Sequence, residues 1–226
     1  MITRLARTLL LALSLCLLAP AALAQVAGLK QDVDYALIAD GQPYRPLDGK
    51  VEVAEVFAYG CHHCADMAPK LEAWKRSLPA NVRLTYVPAL WRDNNPPWVQ
   101  AFFAAEAAGA TAVSHAPMFR ALHVDRRLPM NATLTELAGF YGGLAGVNAK
   151  AFAAALRDTA ALDAKAKAAY AFVQRSQIEG TPSLVINGRY RVLGDSHEAL
   201  MANAARLVKA LAPTRSGSST SSRKPR

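Results

Sequence analysis

Cysteine is scarce: the 226 residues hold three. They are Cys16, Cys61 and Cys64. A disulfide framework needs several matched pairs, so cross-linked scaffolds are excluded. Structural zinc usually takes four ligands from two close pairs, and no second pair exists. Histidine is also sparse, with His115, His123 and His197 scattered and without ligand spacing. A c-type haem site needs His straight after the second cysteine, where Ala65 stands. No metal site and no bound cofactor are therefore expected. No apolar run reaches the length of about 20 residues that a spanning helix needs. Acid is missing from the C-terminal tail and from the first 24 residues. The net charge of +9 is thus carried mostly by the two ends. Residues 25–212 hold 20 basic against 17 acidic side chains, a net of +3, so no nucleic-acid face is indicated.

What is present begins with Arg4 and Arg7, the apolar stretch Leu9 to Leu18, and Ala22-Leu23-Ala24. This is the order of a secretory signal peptide, with cleavage expected after Ala24. A retained anchor is the competing reading, disfavoured by the short run. Cys16 follows Leu15, not the small residue that usually precedes a lipid-acceptor cysteine. Processing would leave only Cys61 and Cys64, three apart. A loop that small gains little from closure, so reactivity is the better reason for the pair.

Residues 25–50 read as an extended lead-in with turns. Val51–Phe57 has the composition of a buried strand. A helical pattern follows Cys64 through Leu71, Trp74 and Leu78, with Pro69 expected to kink it. Val82–Val87 is a second strand, ended by Pro88. From Trp98 to about Gln177 only helical spacing appears, with Gly109 and Gly146 as stops and Thr133-Leu134-Thr135-Glu136 as a capping box. Ser183–Ile186, the turn Asn187-Gly188 and Arg189–Leu193 form a hairpin. His197–Leu211 is an amphipathic helix, and 213–226 is expected to be a disordered basic tail.

The chemistry centres on Cys61, where a strand ends and a helix begins. Unpaired N–H groups and the helix dipole there favour a thiolate. Cys64, one turn on, lies within disulfide reach. His62 and His63 could donate to the sulfur or carry charge beside it, and so favour the dithiol form. Glu55 lies in the apolar strand, where burial would raise its pKa and let it relay protons; a solvated carboxylate is the alternative. Thr181-Pro182 precedes a buried strand, an awkward place for proline unless it is special. Trp91, Pro96, Pro97 and Trp98 either line a groove or belong to the helical core.

This arrangement resembles the DsbA family of the thioredoxin superfamily over about residues 45–211. Glu55-Val56-Phe57-Ala58-Tyr59-Gly60-Cys61-His62-His63-Cys64 is similar to the family segment running through Cys-Pro-His-Cys. The resemblance implies an α/β, thioredoxin-like fold with a helical domain inserted between a βαβ and a ββα half. The corresponding domains are a signal peptide 1–24, halves 25–96 and 166–212, an insertion 97–165 and a tail 213–226. It makes Cys61 the nucleophile, Cys64 the buried cysteine, His63 the family histidine, Glu55 the buried acid and Thr181-Pro182 a cis-proline loop contacting substrate. His62 replaces the usual proline. The acid often found just after the motif has no match at Ala68, and Asp66 is the nearest candidate. The implied activity is disulfide donation to reduced secreted proteins in the periplasm. The implied partner is a DsbB-like membrane quinone reductase, with the chain itself a monomer. A disulfide isomerase or reductase of the same superfamily, or a periplasmic metal-binding protein using the CxxC, are the alternatives. Residues 25–50 are too few for the dimerisation domain of DsbC-like isomerases.

Overall fold

A computed structural model describes residues 26–212; the cleavage site, Cys16 and the basic tail lie outside the described residues. Five strands form one mixed sheet: β1 (Tyr35–Leu37), β2 (Val51–Phe57), β3 (Val82–Pro88), β4 (Ser183–Ile186) and β5 (Tyr190–Val192). Their order is β1-β5-β4-β2-β3. β2 and β3 are parallel, joined by α1 (His62–Lys75), while β4 runs antiparallel to β2 and to β5. All seven residues of β2 are buried, as a strand covered on both faces requires.

The lead-in contains one element that its sequence does not announce. β1 is three residues long and pairs antiparallel with β5, Tyr35 opposite Val192. Its register comes from β5 and not from any local pattern. The hairpin turn behaves as expected: Asn187 and Gly188 both have positive φ, 51° and 66°. Gly188 has a second reason to be glycine. A Cβ there would sit 2.0 Å from the Gln42 backbone, where the lead-in crosses the hairpin. Buried Glu52 fastens this crossing. Its carboxylate accepts from the Tyr44 and Arg45 N–H groups, from Thr85 Oγ1 and from Arg83.

Between β3 and β4 lie five helices: α2 (Pro97–Ala107), α3 (Thr111–His123), α4 (Leu134–Gly142), α5 (Ala149–Arg157) and α6 (Thr159–Arg175). Thr133 and Glu136 form the reciprocal capping box of α4. Asn148, Asp158 and Ser196 cap α5, α6 and the final helix α7 (His197–Leu211). Gly109, at φ 68°, follows the end of α2. Gly146 is not a helix stop: α4 already ends at Gly142 with Gly143 as its cap, and Gly146 turns the connecting loop. The expected boundary between 165 and 166 falls inside α6, which runs unbroken to Arg175 because its apolar face continues through Ala166, Ala169, Phe172 and Val173. α1 passes through Pro69 as one helix and ends before Leu78.

Candidate active site

The site is built where β2 delivers the chain to α1. Cys61 is the N-cap of α1, with extended backbone (φ −86°, ψ 117°) and no side-chain capping bond. Its sulfur therefore faces the free N–H groups of the first turn. Cys61 is partly exposed, Cys64 is fully buried, and both are free thiols. Thr181-Pro182 is cis and faces the pair, with Cys61 Sγ donating to the Thr181 carbonyl at 3.2 Å.

The two thiols are pushed in opposite directions. Burial alone would raise the Cys61 thiol, but the polar groups around it outweigh that. The Thr181 side chain, the Cys64 backbone and thiol, and the His63 backbone all favour the thiolate, and the result lies below the ordinary cysteine value. Burial holds the Cys64 thiol far above that value. One sulfur is thus prepared to be a thiolate and leaving group, and the other is kept protonated until needed.

His62 and His63 occupy other positions than the composition of the motif suggests. Both rings are exposed and lie tilted by 40° with centroids 3.9 Å apart, and His63 meets His197 edge-on at 5.9 Å. The group of His63 that reaches the sulfur is its backbone N–H. Helix geometry supplies this, whatever the side chain.

Glu55 is completely buried, and neither carboxylate oxygen has a hydrogen-bond partner. Burial first, then the Glu72 carboxylate and Cys61, push its pKa up to about 8, with Lys75 opposing. The acid whose charge acts on Glu55 is therefore Glu72; Asp66 is exposed. Helical spacing carries that signal, since Cys64, Ala68 and Glu72 are four apart and share one face of α1.

Sequence reasoning missed Tyr59. Its hydroxyl bonds His115 Nδ1 at 3.0 Å, and His123 Nε2 donates to its carbonyl at 2.7 Å. Both histidines come from α3, so the helical block grips the loop two residues before Cys61. Burial lowers His115 to about 3, keeping it neutral. Trp98 and Pro96 help line an apolar cavity of about 180 Å³ beside Tyr59 and Gly60. Trp98 also packs on the core, while Trp91 is 49% exposed. A more polar cleft of about 370 Å³ runs from His63, Thr181 and Pro182 to His197. Among the described residues no three His, Cys, Asp or Glu side chains cluster as a metal site, and no helix is long and apolar enough to cross a membrane.

The family model for thioredoxin matches residues 47–202, which hold both cysteines and the cis-proline loop. The thiol:disulfide interchange protein DsbA of Burkholderia cepacia is 31% identical over 182 residues, 80% of this chain and 84% of its own length. The chain belongs to the DsbA family. Azotobacter vinelandii DsbA is 36% identical over 146 residues, 63% of this chain; the match spans 65% of that relative's length. The fold agrees with the family. The crystal structure of the oxidoreductase DsbA of Xylella fastidiosa superposes with a TM-score of 0.72 at 37% identity, covering 80% of this chain and 96% of that one. Pseudomonas aeruginosa DsbA gives 0.70 at 28% identity, covering 81% and 95%. The DsbA-type layout, a thioredoxin-like sheet interrupted by helices between β3 and β4, is thus the architecture of this chain.

Proposed function

We propose that this protein is a periplasmic thiol:disulfide oxidoreductase that donates its Cys61–Cys64 disulfide to reduced secreted proteins. The opposed thiols carry the reading. A low Cys61 pKa stabilises the dithiol form, which makes the disulfide an oxidant.

In the reaction a substrate thiolate attacks Cys61 Sγ. The substrate–Cys61 bond forms, the Cys61–Cys64 bond breaks, and Cys64 leaves as a thiolate that takes a proton. Glu55, buried beside the pair and neutral below about pH 8, supplies that proton and recovers it when the disulfide reforms. A second substrate thiolate then attacks the substrate sulfur, and Cys61 departs as the stabilised thiolate. The substrate loses two electrons and the CxxC gains two. The Thr181 backbone beside cis-Pro182 offers polar groups to an extended substrate segment, and the apolar cavity at Trp98 adds surface for it. His62 and His63 shape the rim. A DsbB-like membrane quinone reductase would restore the disulfide, and the chain acts as a monomer.

The test is oxidative refolding of a reduced secreted protein by the oxidised enzyme. One disulfide should appear per enzyme disulfide consumed. Cys64→Ala, first loaded at Cys61 as a mixed disulfide with glutathione, should exchange it for a substrate–Cys61 mixed disulfide with release of glutathione thiolate, and Cys61→Ala should do nothing. Disulfide formation that survives Cys61→Ala would overturn the assignment.

A further inference from the structure

Glu55 poses a problem that the exchange reaction does not solve. It must gain and lose a proton in every turnover, yet it has no exposed surface and no hydrogen-bond partner. Its surroundings leave few routes. On β4 its register neighbour is Leu184, which is apolar and buried. On β3 its neighbour is Tyr86, which shares its face because parallel partners in register point the same way. Toward the front are Cys61 and Cys64. Along α1 lie Glu72 and Lys75, whose charges both act on Glu55. From α3, neutral His115 stacks on the Tyr86 ring at 4.1 Å and closes that side. Tyr59, fully buried, stands at the loop.

The groups on α1 form a connected unit. The Tyr86 hydroxyl donates to Glu72. Lys75 Nζ donates to Glu72 at 3.3 Å and to the Tyr86 hydroxyl at 3.4 Å, and lies 5.1 Å over the Tyr86 ring. At its inner end Tyr86 stands in register beside Glu55 on the same sheet face, and its outer end is wet: Glu72 is 29% and Lys75 35% exposed. A cavity of about 270 Å³, lined by Lys75, Arg83, Tyr86 and Glu106, opens beside it.

We propose that Glu72, held by Tyr86 and Lys75, is the group that passes the Glu55 proton to and from solvent, giving the redox site a rear proton route separate from the substrate face. The inference rests on the proposed exchange reaction. The step balances simply. Neutral Glu55 releases a proton, the Glu72 carboxylate takes it, and Glu72 returns it to bulk water at its exposed edge. Tyr86 and Lys75 are positioning residues that keep the Glu72 carboxylate aimed inward.

The experiment follows single-turnover closure of the Cys61–glutathione mixed disulfide, in which Cys64 must surrender its proton. Rates are taken in H₂O and D₂O from pH 6 to 9 on the whole protein. Glu72→Gln should slow closure about 5- to 10-fold near neutral pH and raise the solvent isotope effect. Glu72→Asp should restore most of the rate, and Tyr86→Phe should shift it in the direction of Glu72→Gln. Glu55→Gln should make the Glu72 substitution silent, because both lie on one route. Thermal melts check that each variant is folded. An unchanged rate and isotope effect in folded Glu72→Gln, or slowing that multiplies with that of Glu55→Gln, would overturn the route. Failure of the parent protein to exchange disulfides at all would overturn the oxidoreductase reading instead.

Discussion

Replacing Glu55 by glutamine should destabilise the protein in acid and stabilise it in mild alkali. The folded carboxyl keeps its proton up to about pH 8, whereas the ordinary glutamate value is 4.5. An acid raised in this way contributes stability that is fully present below the unfolded value and is lost as pH rises through the folded one. Between the two, the unfolded chain ionises and the folded chain does not. Unfolding is then favoured by about 1.4 kcal/mol per pH unit, or on the order of 5 kcal/mol by pH 8. Glutamine carries no charge and has no such slope. It does bring an amide into a place where neither oxygen has a partner, at roughly 1–2 kcal/mol at every pH. The two stability curves should therefore cross near pH 5–6 (about one pH unit repays the amide). Cys61 has the opposite sign: its lowered pKa adds stability as pH rises. That contribution is common to both proteins and drops out of their difference to first order. The assay is urea unfolding of the dithiol form by circular dichroism from pH 4.5 to 8.5. Parallel curves over that range would refute the buried neutral carboxyl.

Three further outcomes are expected. Thr181→Val removes the hydroxyl that favours the Cys61 thiolate, so thiolate absorbance near 240 nm should titrate at higher pH; a stabilisation of about 1 kcal/mol corresponds to roughly fivefold in the ionisation constant. Glu52→Ala leaves the Tyr44 and Arg45 N–H groups, Thr85 and the Arg83 guanidinium without their shared acceptor, and should cost about 3–5 kcal/mol in denaturant unfolding. Asn187→Ala should cost about 1–2 kcal/mol, because it forces alanine to φ 51° and deletes the acceptor of the Glu52 N–H; Asn187→Gly should recover the conformational part only.

The strands and helices that carry their own pattern were legible in the sequence. Val51–Phe57, Ser183–Ile186 and His197–Leu211 have the bounds that composition and periodicity indicate. So was the cysteine pair, by its spacing; the cis form of Thr181-Pro182 was implied by the family resemblance and not by the residues alone. β1 was not, since three residues joined to β5 owe their conformation to a partner over 150 positions away. The helical block was read to about Gln177 and α6 ends at Arg175, but the expected boundary at 165/166 falls inside that helix, whose apolar face is continuous there. The site shows the same division. Glu55 stands out as an acid in an apolar strand shared only with Glu52, but Glu72 is two turns along α1 from Cys64, where charged residues usually face water. His115 and His123 looked scattered because the fold, not the sequence, brings α3 to Tyr59. The motif histidines are prominent in the sequence, but their rings lie exposed at the rim, and it is the His63 backbone that bears on the Cys61 thiol.

The central claim is that the opposed thiols make the Cys61–Cys64 disulfide an oxidant. Equilibration of the whole protein with defined glutathione mixtures tests it most directly. Each tenfold stabilisation of the reduced form is worth about 30 mV. The account predicts a potential well above the roughly −270 mV of thioredoxin. A value at or below thioredoxin's would contradict it.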